Sequence, residues 1–207
     1  MAKLPRPPED LPSLRTNDVF VTRADTELSR IYFTGGPHPQ LWNEFRHFGP
    51  IGTSRFDHHE LPQAIQDRGL FYAAERVPTC FAEVFQDTRT VNRRRRDPWL
   101  VSFALERDVR LLDLGGAWPT RAGASQAINS GPMPRAREWS RSIYAQYSDI
   151  DGLSYPSSML GGTRSVALYE RARDAVPAHP LVNQALIQPG LQLPIRRVAA
   201  QLGFGVA

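Results

Sequence analysis

Hydrophobic positions along this chain fall into short runs with two different periods, separated by proline, glycine and clusters of charge. Ser29-Arg-Ile-Tyr-Phe-Thr34 is a β-rich run stopped by Gly35-Gly36-Pro37, which predicts a strand with its turn. Trp99-Leu-Val-Ser-Phe-Ala-Leu105 sets apolar residues at 99, 101, 103 and 105 against Ser102 and Ala104, the alternation of a half-buried strand. Val109 to Leu114, stopped by Gly115-Gly116, predicts another strand, as do Gly69 to Ala74, Asp151 to Pro156 and Arg164 to Tyr169. The 3.6-residue period appears after Val77-Pro78, where Cys80, Phe81, Val84 and Phe85 predict a helix with Phe81, Val84 and Phe85 as its buried stripe.

A second helical region spans 120–147 in two pieces, broken at Gly131-Pro132-Met133-Pro134. In its second piece, Arg135 to Tyr147, residues Trp139, Ile143 and Tyr147 recur every four positions and read as core. Near the end, Pro194 opens a helix through Ile195, Val198, Ala199 and Leu202, with Gly203 as its stop. Leu61 to Asp67 reads as a short helical turn, and 37–60 as a long irregular segment. A loop of that length is uncommon in a compact domain unless it serves a site. Residues 1–17 hold four of the 18 prolines and read as an extended lead-in to one domain over 18–207. Short strands mixed irregularly with helices predict an α+β domain, with a mixed, mainly antiparallel sheet and flanking helices.

Composition changes this picture only modestly. The length of 207 residues fits one domain, and 41% hydrophobic content suffices for a core. The formal net charge of +4 suits an anionic ligand. Much of it sits in Arg93 to Arg96, which lacks the aromatic interleaving of a nucleic-acid surface, so no direct nucleic-acid partner is expected. The one cysteine, Cys80, excludes an internal disulfide and fits a reducing compartment. No apolar run reaches transmembrane length and the first residues are not a signal peptide; a cytoplasmic protein without a membrane role is expected. Asp57-His58-His59 is the one stretch with metal-ligand residue types. Neighbours on extended chain point apart, so no metal site is expected.

No P-loop, dinucleotide-fold glycine motif, zinc-protease motif or serine-hydrolase elbow is present. What stands out is Glu83, a carboxylate beside Ala82 and Val84 on an apolar helix, which is expensive to bury unpaired. Periodicity places it at the border of the buried stripe, where a solvated acid and a cleft-facing acid are both compatible. Arg30 and Arg55 add planar forks that bind pyrophosphate oxygens bidentately. Tyr72 adds a flat face for a heteroaromatic ring, and Ser157-Ser158 a polar turn. By themselves these residues also fit an edge ion pair, a core tyrosine and ordinary turn chemistry.

Taken in order, Arg30-Ile-Tyr32, Gly52-Thr-Ser-Arg-Phe56, Leu70-Phe-Tyr-Ala-Ala-Glu75 with Ala82-Glu83-Val84, and Asp151-Gly-Leu-Ser-Tyr-Pro-Ser157 resemble the RES-domain family over about residues 28–170. That family is named for an arginine, a glutamate and a serine. Its members are mostly toxins of bacterial toxin–antitoxin pairs, with a fold similar to ADP-ribosyltransferase toxins, and they consume NAD. The resemblance implies catalytic roles for Arg30, Glu83 and Ser157. It implies an NAD pocket lined by Arg30, Tyr32, Arg55, Tyr72 and Ser157, with NAD as co-substrate and no metal. Ser125 competes with Ser157 for the family serine. Around Arg55 the chain reads Pro-Ile-Gly-Thr-Ser-Arg-Phe-Asp, where the family often has Arg-Phe-Gly-Gly-Arg-Trp-Asn.

The implied activity is cleavage of the nicotinamide–ribose bond with water or phosphate as acceptor, as an NAD glycohydrolase or NAD phosphorylase. Mono-ADP-ribosylation of a protein target, and a non-catalytic nucleotide-binding module of the same fold, are the alternatives. A cognate antitoxin protein is the implied partner. A homodimer stays open.

Overall fold

The structure, a computed structural model, describes residues 4–207. Residues 1–3 of the proline-rich lead-in lie outside the described part. From residue 4 the lead-in runs as extended chain against a helix, with Trp139 Nε1 donating to the Pro5 carbonyl at 2.8 Å and Tyr147 Oη to the Pro12 carbonyl at 2.5 Å.

The strands, in chain order, are β1 (Val19–Thr22), β2 (Glu27–Phe33), β3 (Arg46–Gly49), β4 (Ala64–Ala74), β5 (Thr90–Val91), β6 (Pro98–Ala104), β7 (Val109–Asp113), β8 (Gly152–Pro156), β9 (Arg164–Tyr169), β10 (Val182–Ala185) and β11 (Gly205–Val206). The helices are α1 (Val77–Val84), α2 (Trp118–Arg121), α3 (Met133–Gln146) and α4 (Gln192–Leu202). Among the described residues, one nine-stranded sheet runs β1-β7-β8-β9-β4-β2-β6-β10, with β3 attached to β4. Every pairing in it is antiparallel except β7 with β8. The short β11–β5 pair is parallel. This is an α+β fold with a mixed, mainly antiparallel sheet.

The helices gather on one sheet face in two groups. α3 and α2 bury Trp118, Trp139 and Ile143 against Leu112, Leu153 and Tyr169. α1 and α4 bury Cys80, Phe81, Ile195 and Ala199 against Ile31 and Leu100. The opposite face carries Leu28, Phe71, Phe103, Val166 and Leu168, closed by Phe45 and by the 3-10 turn Glu170–Ala175. Residues of both faces alternate along β9, as the two-residue period requires.

Several boundaries differ from the sequence expectations. Leu61 to Asp67 is not a helical turn: β4 begins at Ala64. The segment 37–60 is not wholly irregular, since Arg46–Gly49 forms β3 and pairs with β4. Both were hidden because this ribbon projects from the body and leaves Phe48 and Ile65 exposed, so no buried face marks its period. β6 is covered on both faces rather than half-buried, and its polar position Ser102 bonds the Ser29 hydroxyl at 2.7 Å. Val84 is exposed, so the buried side of α1 is Thr79 to Ala82 with Phe85. The first of the two helical pieces expected from residue 120 is reduced to α2 and a 3-10 turn at Gln126–Ile128. α3 begins at Met133, two residues before the expected start, because Pro134 fits the first helical turn. β1 and β10 carry too little pattern to be anticipated. α4 begins at Gln192 rather than at Pro194, which sits within its first turn, and ends where expected, at Gly203 with φ +66°.

The decisive detail for function is how β2 leaves β4. The pair shares only Ser29 opposite Ala74, whereas β2 and β6 pair along seven positions. Further along the same edge β3 pairs with β4 between Ala64 and Leu70, which leaves Phe71 to Ala73 between the two partner strands. A gap therefore opens between β2 and β4, on the helical face between the two helix groups.

Candidate active site

A cavity of about 470 Å³ occupies this gap, within the range of small-molecule sites. Its walls come from β2, β4, α1, the segment 51–55 and the end of β8. Arg30, Arg55, Tyr72 and Glu83 all line it.

Glu83 sits in the last turn of α1. Pro78 tolerates the first turn, and burial of Cys80, Phe81 and Ala82 pins the helix to β2, which leaves Glu83 half-buried at the cavity wall. Ser157 Oγ donates to Glu83 Oε1 at 2.5 Å. Ser157 Oγ in turn accepts from the backbone N–H groups of Met159 at 3.2 Å and Leu160 at 3.0 Å. Ser157 is buried and its hydroxyl is committed to Glu83 and to its own loop; the neighbouring Ser158 lines the cavity. Ser125 instead accepts from the Ala127 N–H and caps a 3-10 turn.

Arg30 lies over the Phe71 ring at 4.3 Å from its centroid, reaching the cavity at the gap. Its polar neighbours are the Trp42 and Glu44 carbonyls, each at 3.5 Å, and Nε is buried with no hydrogen-bond partner among the described residues. Burial lowers its pKa to about 10, so it remains a cation at neutral pH. Arg55 donates to the Gly131 carbonyl at 2.5 Å. Burial lowers its pKa too, opposed by Tyr72 and Glu83 close by.

Tyr72 holds its hydroxyl in the interior, accepting from Ser54 Oγ and the Phe56 N–H, each at 3.0 Å. Its pKa is pushed up to about 12 by burial, and its ring stays half-exposed in the cavity. Tyr32 is placed elsewhere: its hydroxyl bonds Asn183 at 2.8 Å and its ring tilts against Trp99, outside the cavity lining. Two steps along β2 from Arg30, it lies where β2 pairs only with β6, and its hydroxyl reaches past β6 to Asn183 of β10.

Sequence reasoning missed the support of the 51–55 wall. Asp57 is fully buried, accepting from Arg46 Nη2 at 2.8 Å, the Ile51 N–H at 2.8 Å and His59 Nδ1 at 2.6 Å. Burial alone would raise its pKa, but His59, Arg46 and the backbone donors together hold it well below the carboxylate range. The rings of His58 and His59 do not point apart; they stack at 5.4 Å. Tyr155, another lining residue, packs at 4.7 Å against Phe56. Its place in the Ser-Tyr-Pro run was the signal available. Among the described residues, no group of three or more histidine, cysteine, aspartate or glutamate side chains is arranged to hold a metal ion.

The sequence model of the RES domain matches residues 27–191, most of the chain. The chain belongs to the RES domain family. No curated protein is significantly similar to it in sequence. Among solved structures, a chain of the M. tuberculosis MbcT–MbcA toxin–antitoxin complex is similar with a TM-score of 0.55 and 13% identity, covering 86% of this chain and 92% of the other. At that identity the likeness concerns the fold. This RES domain thus shares its sheet and helix arrangement with a toxin–antitoxin component, and none of its helices in the described part is long and apolar enough to cross a membrane.

Proposed function

We propose that this RES domain is an NAD-consuming enzyme that breaks the bond between nicotinamide and ribose. The observation that carries the reading is the Glu83 carboxylate, fixed by Ser157 in a cavity that also holds Arg30, a buried cation whose Nε–H has no partner among the described residues. A buried donor without a partner costs about 1–3 kcal/mol, which an anionic ligand oxygen would recover. In this reading Arg30 and Arg55 bind the pyrophosphate and the Tyr72 ring covers the nicotinamide. Glu83 faces the ribose carbon. Ser157 acts through Glu83 as a positioning residue, and Tyr32 has no role in the site.

As the C–N bond breaks, its electron pair neutralises the pyridinium nitrogen and leaves positive charge on the ribose. A fixed carboxylate stabilises that charge without reorganising, the logic shared with glycoside hydrolysis. Water or phosphate then bonds to the same carbon, and the proton it sheds passes to Glu83 or solvent. Nicotinamide leaves as a neutral base. Biologically, the activity fits a toxin held in check by a partner protein, in line with the complex in which the similar fold occurs.

Purified protein incubated with NAD should release nicotinamide, and Glu83→Gln should lower the rate at least 10³-fold, about 4 kcal/mol of barrier. Full turnover by Glu83→Gln, or none by the wild type with or without phosphate, defeats the reading. Transfer of label to an added protein, with no free ADP-ribose, would replace it with protein ADP-ribosylation.

A further inference from the structure

Resting on the dinucleotide reading, the cavity carries a further cationic element that the cleavage chemistry does not use. The arginine run of 93–96 is not uniform. Arg93 staples the carbonyls of Leu186, Ile187 and Gln188, and the Asn92 side chain accepts the backbone N–H groups of Arg94 and Arg95. Arg96 alone of the four lines the cavity, with its guanidinium over the Phe33 ring at 4.5 Å from the centroid. Its side chain makes no hydrogen bond or ion pair among the described residues.

That placement is built by two loops locked together. Thr34 and Gly35 donate their N–H groups to the carbonyls of Asp97 and Arg96 at 3.1 and 3.0 Å. A side chain at Gly35 would stand 2.6 Å from Asp97 Oδ2, and Gly36, at φ +91°, lies under the Arg96 side chain. Arg96 and Asp97 themselves hold φ of +67° and +48°, the left-handed region that such residues seldom enter. Backbone strain of this kind persists where the surroundings impose it, often beside a ligand.

Phe33 lies four residues beyond Ser29, the last residue of β2 paired to β4, so roughly 13 Å along the strand. Cys80 bonds the Ser29 carbonyl at 3.1 Å, and Glu83 follows it by one helical turn. The reactive acid is therefore near the closed end and Arg96 at the open end. Among the lining cations, Arg46 is paired with Asp57. Arg30 and Arg55 match the two charges of a pyrophosphate, and Glu83 faces the ribosyl cation. Arg96 is left over, at the end where the adenosine half of a dinucleotide would lie.

We propose that Arg96, held over Phe33, recognises a phosphate on the adenine ribose, so that the enzyme takes NADP as well as NAD. The ring offers a stacking face and the guanidinium a bidentate fork for the extra phosphate. Arg96 is exposed, and glutamine at φ +67° is no more strained than arginine, so the fold survives Arg96→Gln.

The test compares nicotinamide release from NADP and from NAD, each with and without inorganic phosphate. In the wild type the two dinucleotides should have kcat/KM values within tenfold of each other. Arg96→Gln should lower the NADP-to-NAD ratio at least tenfold, through KM for NADP, and Arg96→Lys should restore part of it. An NADP-to-NAD ratio that Arg96→Gln leaves unchanged overturns the proposal while the NAD reading stands. So does a variant that changes only the dependence on inorganic phosphate. Calorimetric titration of Glu83→Gln protein with each dinucleotide, with and without Arg96→Gln, reads binding alone. It separates failure at Arg96 from failure of the cleavage reading, which appears as no nicotinamide from either substrate.

Discussion

Ser157 and Glu83, 74 positions apart in the chain, are joined by a 2.5 Å hydrogen bond from hydroxyl to carboxylate. The serine has no freedom to serve elsewhere, because two backbone N–H groups of its own loop hold the same oxygen. Ser157→Ala should therefore lower kcat by about ten- to a hundredfold, consistent with 1.4–2.8 kcal/mol of lost positioning, and leave KM within about threefold. Steady-state kinetics of nicotinamide release checks this. A large rise in KM with kcat intact would instead make Ser157 a substrate ligand.

Asp57 carries the second expectation. It ties Arg46, Ile51 and His59 into the wall that presents Ser54 and Arg55, with no exposed surface of its own. Asp57→Asn should destabilise the fold by about 2–4 kcal/mol, since the Arg46 charge loses its buried partner. Urea unfolding at pH 7 measures it. Because its folded pKa lies below the unfolded value, Asp57 stabilises the fold above about pH 4, and that stability is lost as pH falls further. The wild-type and Asp57→Asn curves should converge in acid.

His58 sets the behaviour at mildly acidic pH. It is fully buried and stacked on Tyr144 at 4.3 Å, both ring nitrogens lack hydrogen-bond partners among the described residues, and Glu170 stands 3.7 Å away. Burial lowers its pKa to about 4 against the usual 6.5, an effect Glu170 only partly opposes. The unfolded chain then binds more protons between those values. Stability should fall as pH drops from about 6.5 to 4, by up to about 1.4 kcal/mol per pH unit. His58→Phe keeps the ring stack and should flatten this slope. An unchanged slope in that variant would assign the effect to other groups.

Cys80 should be inert in the folded protein. Its thiol donates to the Ser29 carbonyl at 3.1 Å, and burial pushes its pKa up to about 12, leaving almost no thiolate at pH 8. A chromogenic disulfide reagent should label it only at the rate of unfolding, and at once in denaturant. Rapid labelling of the native protein would show the thiol open to the cavity.

Much of this site is legible in the linear sequence. Arg30, Arg55, Tyr72 and Glu83 were identifiable because their residue types match an anionic, aromatic ligand and because their order matched a known family pattern. All four line one cavity. Tyr32 shares that motif and does not, because its strand position puts its hydroxyl on Asn183. Arg46, Asp57 and Tyr155 were invisible as a group, since an ion-pair network has no periodicity and its members meet only through the chain path.

The sequence by itself determined the classes of element and the candidate chemistry. The β-rich run of β6, the proline start of α1, the glycine stop of α4 and the stripe Trp139–Ile143–Tyr147 are local properties that survive in any fold. Only the tertiary structure decided which polar groups meet. β2 leaves β4 after a single pair, and the gap so formed gathers Glu83, Arg30 and Arg55 around one space, with Ser157 behind the acid. Strand pairing and hydrogen-bond partnership join residues distant in sequence, and their energy depends on distance in space, which no local pattern records.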